Sequence, residues 1–380
     1  MAITSKLPDV GTTIFTVMSA LAAEHGAINL SQGFPDFDTP AALIDLVGQH
    51  MRAGRNQYAP MQGVLALRER IAAKTADLYG KAVDPETEIT VTSGATEALF
   101  AAITAVTRPG DEVVVLEPAF DSYVPAIRLN GGRPVFVSMQ APDYRIDWDA
   151  VARSIGERTR LIIVNSPHNP TGTVFSPEDL AALGRIVAGR DIFVVSDEVY
   201  EHIVFDGLAH ESLLKDPELY AKSFVISSFG KTYYTTGWKI GYCVAPPDIS
   251  REFRRVHQFL TFASCTPIQW AYADIMDDAS LYLELGAFYQ EKRDRFLALL
   301  ETSRFRPRPC RGTYFQMMDY SAISDLDDVS FARQLTIEQK VAAIPPSVFY
   351  HDGQDNRVLR FCFAKRDETL EQAAEILCRI

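Results

Sequence analysis

The stretch SSFGKTYY, residues 227–234, follows a short apolar run and contains one lysine, Lys231, whose neighbours fit three different chemistries. Gly230, Lys231 and Thr232 match the end of a phosphate-binding P-loop. Ser228 and Lys231 have the S-x-x-K spacing of enzymes that form an acyl-serine. A buried lysine can also lose its charge and condense with the aldehyde of a cofactor.

The first two chemistries lack the other residues that they need. A P-loop requires glycine at position 225, where this chain has Val225. Acyl-serine enzymes also carry S-D-N and K-T-G elements, but 196–198 reads S-D-E and no K-T-G occurs. Both interpretations are therefore weak, and a lysine that binds an aldehyde explains more of the chain.

Around this lysine, short apolar runs alternate with helical patterns. The predicted strands are 88–92, 112–117, 134–138, 160–165, 192–196, 222–227 and 239–245. The predicted helices between them are 94–107, 120–130, 177–188 and 198–204. Continuous Val/Ile runs flanked by helices indicate strands that are buried on both faces. We therefore predict an α/β fold with a mainly parallel, seven-stranded sheet.

Flanking segments predict a second, smaller domain. Helical patterns cover 14–25, 40–53, 63–79, 249–263, 279–303 and 366–380, and short strands are predicted at 313–319, 341–344 and 357–363. We expect an N-terminal arm (1–35), a large domain (36–285) and a small α+β domain (286–380), with the boundary inside the helix near 285–300. The arm is expected to pack with the small domain or with a second subunit.

Composition excludes several functional classes. The chain has 380 residues, 47% hydrophobic and 23% charged, with a net charge of −12, which argues against nucleic acid or an anionic membrane as the main partner. Five scattered cysteines without C-x-x-C, and no H-E-x-x-H, predict reduced thiols and no metal site. No apolar run approaches the roughly 18 residues of a membrane span, and no export signal is apparent. A cytoplasmic location is expected.

Chemically capable side chains follow five of the predicted strands. The segments are SGATE (93–97), PAFD (118–121), SPHNPTG (166–172), DEVY (197–200) and SFGK (228–231). Ligands of open α/β sheets bind at the carboxyl ends of the strands. The five segments therefore predict one shared binding site.

Pyridoxal phosphate is an aldehyde cofactor whose requirements these segments meet. Asp197 can keep the ring nitrogen protonated, so that the ring acts as an electron sink. Asn169 and Tyr200 can hydrogen-bond the ring oxygen, and Phe120 can stack on the ring.

The phosphate of this cofactor requires an anion site. Gly94, Ala95 and Thr96 open a predicted helix, whose N–H groups and dipole suit a dianion. Ser228 and Lys239 can complete the cradle. His168 and the five cysteines are interpreted as structural.

At this point the sequence resembles the fold-type I, class I/II aminotransferases, which depend on pyridoxal phosphate. The matching motifs, in order along nearly the whole chain, are NLSQGFPDF (29–37), NQYAPMQG (56–63), SGATEAL (93–99), NSPHNPTG (165–172), SDEVYEH (196–202), SSFGKTYYTTGWKIGY (227–242) and RFCFAK (360–365). The arm and the SVFYHD segment (347–352) look most like the kynurenine/glutamine transaminase branch. Within that branch, the sequence motifs look most like those of the bacterial methionine aminotransferases.

The resemblance implies roles for particular residues. Lys231 is the lysine that forms a Schiff base and shuttles a proton, assisted by Asp197 and Tyr200. Tyr58 reaches the cofactor phosphate of the neighbouring subunit in a homodimer. Lys239 stands where the aspartate branch has arginine, which fits the kynurenine branch.

Substrate roles are implied as well. Arg360 forks onto the α-carboxylate of the substrate, a task that suits a planar bidentate donor, with Asn169 and the backbone of Gly33 nearby. Phe15 and Phe349 are candidate walls of the side-chain pocket. Thr96 stands where some relatives carry an aromatic residue, so side-chain preference stays open.

The function expected from these residues is transamination. A large neutral amino acid (methionine first, then an aromatic amino acid, glutamine or kynurenine) gives its amino group to a 2-oxo acid by a ping-pong mechanism. A β-lyase acting on cysteine S-conjugates would use the same residues. A transcription regulator should carry an added DNA-binding module, and a catalytically dead relative should lack Lys231 or Asp197.

Overall fold

The computed structural model describes residues 3–380, which fold into alternating strands and helices. In chain order the strands are β1 (Ile28–Asn29), β2 (Ile89–Thr92), β3 (Glu112–Glu117), β4 (Arg133–Ser138), β5 (Thr159–Asn165), β6 (Phe193–Asp197), β7 (Ser223–Ser228), β8 (Gly241–Val244), β9 (Arg306–Pro307), β10 (Phe315–Asp319), β11 (Val341–Ala342) and β12 (Val358–Cys362). The helices are α1 (Ile14–His25), α2 (Ala41–Arg52), α3 (Leu65–Tyr79), α4 (Ala95–Val106), α5 (Tyr123–Leu129), α6 (Trp148–Ser154), α7 (Pro177–Val187), α8 (Pro217–Tyr220), α9 (Phe229–Thr232), α10 (Pro247–Leu260), α11 (Thr266–Ile275), α12 (Ser280–Leu283), α13 (Leu285–Leu299), α14 (Asp328–Glu338) and α15 (Asp367–Leu377).

The centre of the fold is a seven-stranded sheet in the order β2-β8-β7-β6-β5-β3-β4. β8 runs antiparallel to both of its neighbours, and all other neighbours are parallel. This arrangement confirms the predicted mainly parallel sheet. The carboxyl ends of β5, β6 and β7 lie side by side, which brings the segments after them together.

Burial on both faces explains the continuous apolar runs of the central strands. In β3, Val113 and Val115 belong to one core cluster, with Ile103 of α4 and Phe253 of α10. The alternate residues of β3 belong to a second cluster, which includes residues of α3, α7 and α11. Because successive side chains of a strand point to opposite faces, both faces need apolar residues.

A third core cluster joins the N-terminal segment to the C-terminal part of the chain. Met18 and Leu30 lie in this cluster together with Phe361 and Leu370. β1 pairs in parallel with β11, and β12, β10 and β9 form an antiparallel sheet. The domain boundaries at 35 and 285 remain a prediction, and residues 1 and 2 of the arm lie outside the described residues.

Two predicted helices differ from the structure. The segment 198–204 is not helical, and residues 199–202 form turns. Val204 instead makes a β-bridge to Gly312, so a helix cannot continue there. The predicted helix 279–303 is broken between α12 and α13, where a Cβ on Gly286 would lie 2.9 Å from the carbonyl oxygen of Val204. Close approach of the backbone to other segments therefore determines the conformation of both regions.

The sequence patterns also missed several elements, namely α6, α8, α9, α11, α14, β1 and β9. Within residues 3–380, no helix combines the length and the apolar character needed to cross a membrane.

Candidate active site

A cavity of about 250 Å³ lies at the carboxyl ends of the central strands. Of the predicted site residues, its lining includes Phe15, Gly33, Gly94, Ala95, Thr96, Phe120, Asn169, Asp197, Tyr200, Ser228, Lys231, Lys239 and Arg360. All of the predicted residues except Tyr58 and Phe349 therefore line one cavity.

Lys231 extends from α9, directly after β7, into this cavity. Its Nζ donates hydrogen bonds to the carbonyl oxygen of Gly33 and to the hydroxyl of Tyr314, both at 2.9 Å. Burial lowers the pKa of Lys231 to about 8. A sizeable fraction of the amine is therefore neutral near physiological pH, as a nucleophile or general base requires.

Asp197 ends β6 and is 3% exposed. Its Oδ2 accepts a 2.6 Å hydrogen bond from the Tyr123 hydroxyl, and its Oδ1 accepts a long bond of 3.4 Å from the Val199 N–H. Burial raises the pKa of Asp197 to about 6, while the hydrogen bond from Tyr123 acts in the opposite direction. Oδ1 thus keeps most of its capacity to accept a bond from a cationic group.

Sequence reasoning missed Tyr123. Its ring also packs edge to face on Phe120, with centroids 5.7 Å apart, so one residue supports both the carboxylate and the aromatic wall. The available signal was its position three residues after Phe120, near the start of a predicted helix.

The N-terminus of α4 lines one end of the cavity. Gly94 precedes α4 with φ +81°, and a Cβ at this position would lie 3.4 Å from Nζ of Lys239. Glycine thus lets the lysine approach the backbone closely. The helix N–H groups, Lys239 and Ser228 border the same part of the cavity lining, a combination suited to a phosphate.

Arg360 on β12 is fully buried. It donates 2.8 Å hydrogen bonds to Oδ1 of Asn169 and to the carbonyl oxygen of Ser31, and its guanidinium lies 3.9 Å from the ring centre of Phe315. Burial lowers its pKa to about 10, which still leaves it cationic at neutral pH. Nη1 and Nη2 each donate one of these hydrogen bonds, so the guanidinium retains further N–H groups for an anionic group.

Asn165, Tyr314 and Gln32 were also missed by sequence reasoning. Asn165 donates to the carbonyl oxygen of Asp197 at 2.7 Å and accepts from the N–H of Asn169 at 2.9 Å, which fixes two site segments together. Gln32 lines the cavity and donates to the carbonyl oxygen of Phe15 at 3.0 Å. Asn165 begins the NSPHNPTG motif, but only its three-dimensional neighbours reveal this role.

Tyr200 is a buried phenol at the cavity wall. Its ring packs edge to face on Tyr314 at 5.2 Å. Burial raises its pKa, so the hydroxyl remains protonated and can donate a hydrogen bond.

Two predicted site residues lie outside the cavity lining. Phe349 is buried and packs on Phe15 with centroids 5.8 Å apart, and its carbonyl oxygen accepts from the N–H of Ala119. Tyr58 is 86% exposed and packs edge to face on Phe262. A role for Tyr58 in catalysis therefore requires a second copy of the chain.

Together these groups place a partly neutral amine, a buried carboxylate, an anion cradle and a cationic fork in one cavity. Perturbed pKa values that converge on a cavity are typical of active sites. Within residues 3–380, no cluster of three His, Cys, Asp or Glu side chains could hold a metal ion. The arrangement suits a phosphorylated cofactor and a substrate carboxylate.

Comparison with known proteins agrees with this geometry. The profile of the family "Aminotransferase class I and II" matches residues 25–377. The chain is 55% identical to a methionine aminotransferase of Escherichia coli, over 98% of this chain and 97% of that protein. It is 39% identical to a probable N-succinyldiaminopimelate aminotransferase of Mycobacterium tuberculosis, over 97% and 96%. A kynurenine–oxoglutarate transaminase of Dictyostelium discoideum is 35% identical, over 97% and 94%.

Solved structures agree as well. An Escherichia coli protein described as having a methionine aminotransferase function superposes with a TM-score of 0.98 at 54% identity, covering 100% of both chains. Members of this family depend on pyridoxal phosphate and use amino acids and 2-oxo acids as substrates. These matches confirm the resemblance, the fold class and the transaminase activity that the motifs predicted, and they do not favour the lyase alternative. The chain belongs to the class I and II aminotransferase family and is an aminotransferase.

Proposed function

We propose that this aminotransferase binds pyridoxal phosphate in the cavity and takes its amino group from a large, uncharged amino acid, methionine first. Aromatic amino acids, glutamine and kynurenine are further expected donors, and a 2-oxo acid is the acceptor. The 55% identity to a methionine aminotransferase supports this choice of donor.

The residues of the cavity fit this cofactor. Lys231 would hold its aldehyde carbon, Asp197 its ring nitrogen, and Asn169 and Tyr200 its ring oxygen. Phe120 would stack on the ring. The close approach of Lys239 to Gly94, at the start of α4, leaves backbone N–H groups and an ammonium at one end of the cavity, which suits a phosphate.

When bound, pyridoxal phosphate supplies an aldehyde that takes up the amino group and a protonated ring that accepts electron density from the substrate. Lys231, with its pKa near 8, can remove the proton from the substrate α-carbon as a neutral amine and later return it. Arg360, held by Asn169 and Ser31, orients the substrate through its carboxylate. The buried Asp197 keeps a negative charge beside the ring nitrogen.

One observation carries the preference for uncharged side chains. Among the residues that line the cavity, Arg360 is the only arginine, and the remaining cations are Lys231 and Lys239. Each of these three already has a role in the proposed site. The aromatic residues Phe15 and Phe315 flank Arg360, so the substrate side chain meets apolar surface.

We also propose a homodimer in which Tyr58 serves the site of the partner subunit. Support comes from the exposure of Tyr58 and of three nearby apolar residues, namely Phe259, Leu260 and Phe262. Exposed aromatic clusters of this kind mark interaction surfaces. We propose that the chain divides into an arm (1–35), a large domain (36–285) and a small domain (286–380). A cytoplasmic location is also proposed, because the five cysteines are free.

The proposal is tested by adding methionine alone to the protein loaded with pyridoxal phosphate. We expect 2-oxo acid equal in amount to the active sites, no ammonia, and continued turnover only after a 2-oxo acid is added. A donor panel should rank methionine above glutamate and N-succinyldiaminopimelate in kcat/KM. Preference for an acidic donor would contradict the substrate proposal, and release of ammonia would contradict transfer.

Tyr123→Phe tests the support of Asp197. Loss of a hydrogen bond to a charged group costs roughly 1.5–3 kcal/mol, so a smaller fraction of Asp197 is ionised and we expect kcat at neutral pH to fall several-fold. Removing the donor raises the pKa of Asp197 further, and ionised Asp197 then requires a higher pH. The acidic limb of the pH–kcat profile should therefore move upward.

The matched control for this variant is Tyr289→Phe. The hydroxyl of Tyr289 is buried and has no hydrogen-bond partner within residues 3–380. Its removal should leave the pH profile unchanged. Equal profiles for Tyr123→Phe and Tyr289→Phe would show that Asp197 does not depend on the Tyr123 hydroxyl.

A further inference from the structure

In the segment 196–202, some side chains line the cavity and others are buried outside it. Asp197 and Tyr200 line the cavity, whereas Glu198 and Glu201 are buried away from its lining, at 2% and 7% exposure. Glu198 accepts hydrogen bonds from the Ser196 hydroxyl at 2.8 Å and lies 2.9 Å from Nε2 of His210. The proposed function uses neither glutamate, although each is an expensive group to bury.

The carboxylate of Glu201 is the centre of a buried network. It accepts hydrogen bonds from Nζ of Lys74 at 2.7 Å and from the hydroxyl of Tyr242 at 2.9 Å. The hydroxyls of Tyr79 and Ser227 also donate to it. Lys74 in addition donates to the Tyr242 hydroxyl at 2.6 Å. The donors come from α3, β7 and β8, while the acceptor belongs to the segment after β6.

These connections reach three of the segments that would hold the cofactor ring and phosphate, namely those of Tyr200, Ser228 and Lys239. Glu201 directly follows Tyr200, Ser227 directly precedes Ser228, and Tyr242 lies three residues after Lys239. We propose that the Lys74–Glu201 ion pair is a positioning element, which fixes these segments relative to one another from outside the cavity. This inference rests on the proposed binding of pyridoxal phosphate.

The charge state of the pair supports this role. Burial alone would raise the pKa of Glu201, but the nearby Lys74 and its hydrogen bonds hold it well below the ordinary value. Burial lowers the pKa of the adjacent His202 to about 3, so His202 is neutral and Lys74 is the cationic partner. Tyr79 and Tyr242, the other titratable groups facing the carboxylate, have raised pKa values and remain protonated donors, mainly because they are buried.

Stability alone does not account for such a pair. Uncharged residues of similar volume can often replace a buried ion pair without loss of stability, whereas removal of one partner leaves a costly unpaired charge. A carboxylate that accepts hydrogen bonds from four donors on three elements instead fixes the orientation of these elements relative to one another. Apolar contacts are not directional and do not do this. Geometry of the site and stability of the fold can therefore be separated by experiment.

The experiment compares Glu201→Gln with the double variant Lys74→Met/Glu201→Gln. Affinity for pyridoxal phosphate is measured by equilibrium dialysis, and thermal unfolding is measured on the cofactor-free protein. We expect Glu201→Gln to lower the melting temperature and the double variant to regain most of it. Both should bind pyridoxal phosphate about tenfold more weakly than the wild type.

A milder variant keeps the test valid if the double variant does not fold. Ser227→Ala removes one donor to Glu201 without leaving a charge unpaired, and should weaken cofactor binding several-fold with little change in melting temperature. Thr75→Val, on the same helix as Lys74 but bonded only within that helix, is the control and should bind normally.

The outcomes separate this inference from the proposed function. If the wild type binds no pyridoxal phosphate, both proposals are overturned. If the wild type binds it and the double variant, or Ser227→Ala where the double does not fold, binds equally well, the ion pair is only structural and the positioning role is overturned.

Discussion

Replacing Lys231 with alanine is expected to reduce kcat for transamination of methionine by at least about 10³-fold. The variant loses the amine that would hold the cofactor and the base that would move the α-proton. No other lysine in the cavity lining can substitute, since Lys239 lies at the start of α4, against Gly94. The fold should survive, because the two hydrogen bonds lost with Nζ leave Tyr314 still bonded to the carbonyl oxygen of Gly33.

Steady-state kinetics and covalent capture check this result together. Borohydride treatment of the loaded wild type, followed by peptide mass analysis, should place the mass of the reduced cofactor on the peptide that carries Lys231. Lys215→Ala removes a lysine that is paired with Glu211 and is not part of the cavity lining, and this variant should keep both activity and capture. Retention of more than about a tenth of the activity by Lys231→Ala would rule out Lys231 as the catalytic amine.

Local patterns were sufficient to predict the central sheet. Each strand of this sheet begins and ends within about two residues of its predicted position, because β-branched runs such as 112–117 are buried on both faces and leave little ambiguity. The segment 198–204 was predicted as a helix for the same local reasons. Its conformation depends instead on the β-bridge to Gly312, which no local pattern encodes.

The site residues also divide into those that the local sequence predicts and those that depend on distant contacts. Those that end a strand or follow it within three residues, such as Asp197 and Lys231, were predicted because the fold places strand ends together. Residues that support Asp197, such as Tyr123 and Asn165, were missed because they are distant from Asp197 in sequence. The predicted role of Tyr58 depends on a second subunit and remains a prediction.

Asp197→Asn is expected to have two opposite effects, the first on catalysis. Asparagine keeps the shape of the side chain but supplies no negative charge beside the ring nitrogen. Removal of a single preorganised electrostatic contact typically costs about 10²–10³-fold in kcat. We therefore expect a loss of that size with methionine, without a matching rise in KM, because Arg360 still binds the substrate carboxylate.

The second effect is a gain in stability of the cofactor-free protein. Burial raises the pKa of Asp197 to about 6 in the folded state, compared with about 3.9 for an unfolded aspartate. Because the folded state binds this proton more tightly, the stabilisation is present below about pH 4 and is lost as pH rises to about 6. The pKa difference corresponds to about 3 kcal/mol of unfolding free energy that the wild type loses at neutral pH. The asparagine variant does not lose it, because asparagine cannot ionise.

Unfolding of both cofactor-free proteins in urea, at about pH 4 and about pH 8, separates charge from packing. A variant that gains stability only because it lacks the buried charge should show the gain at pH 8 and little gain at pH 4. An equal gain at both values would assign the effect to packing, and a loss at pH 8 would mean that Tyr123 and Val199 already compensate the charge. The expected pattern would show that the buried carboxylate lowers the stability of the cofactor-free fold and is there to act on the cofactor, whose ring nitrogen would supply the missing positive partner.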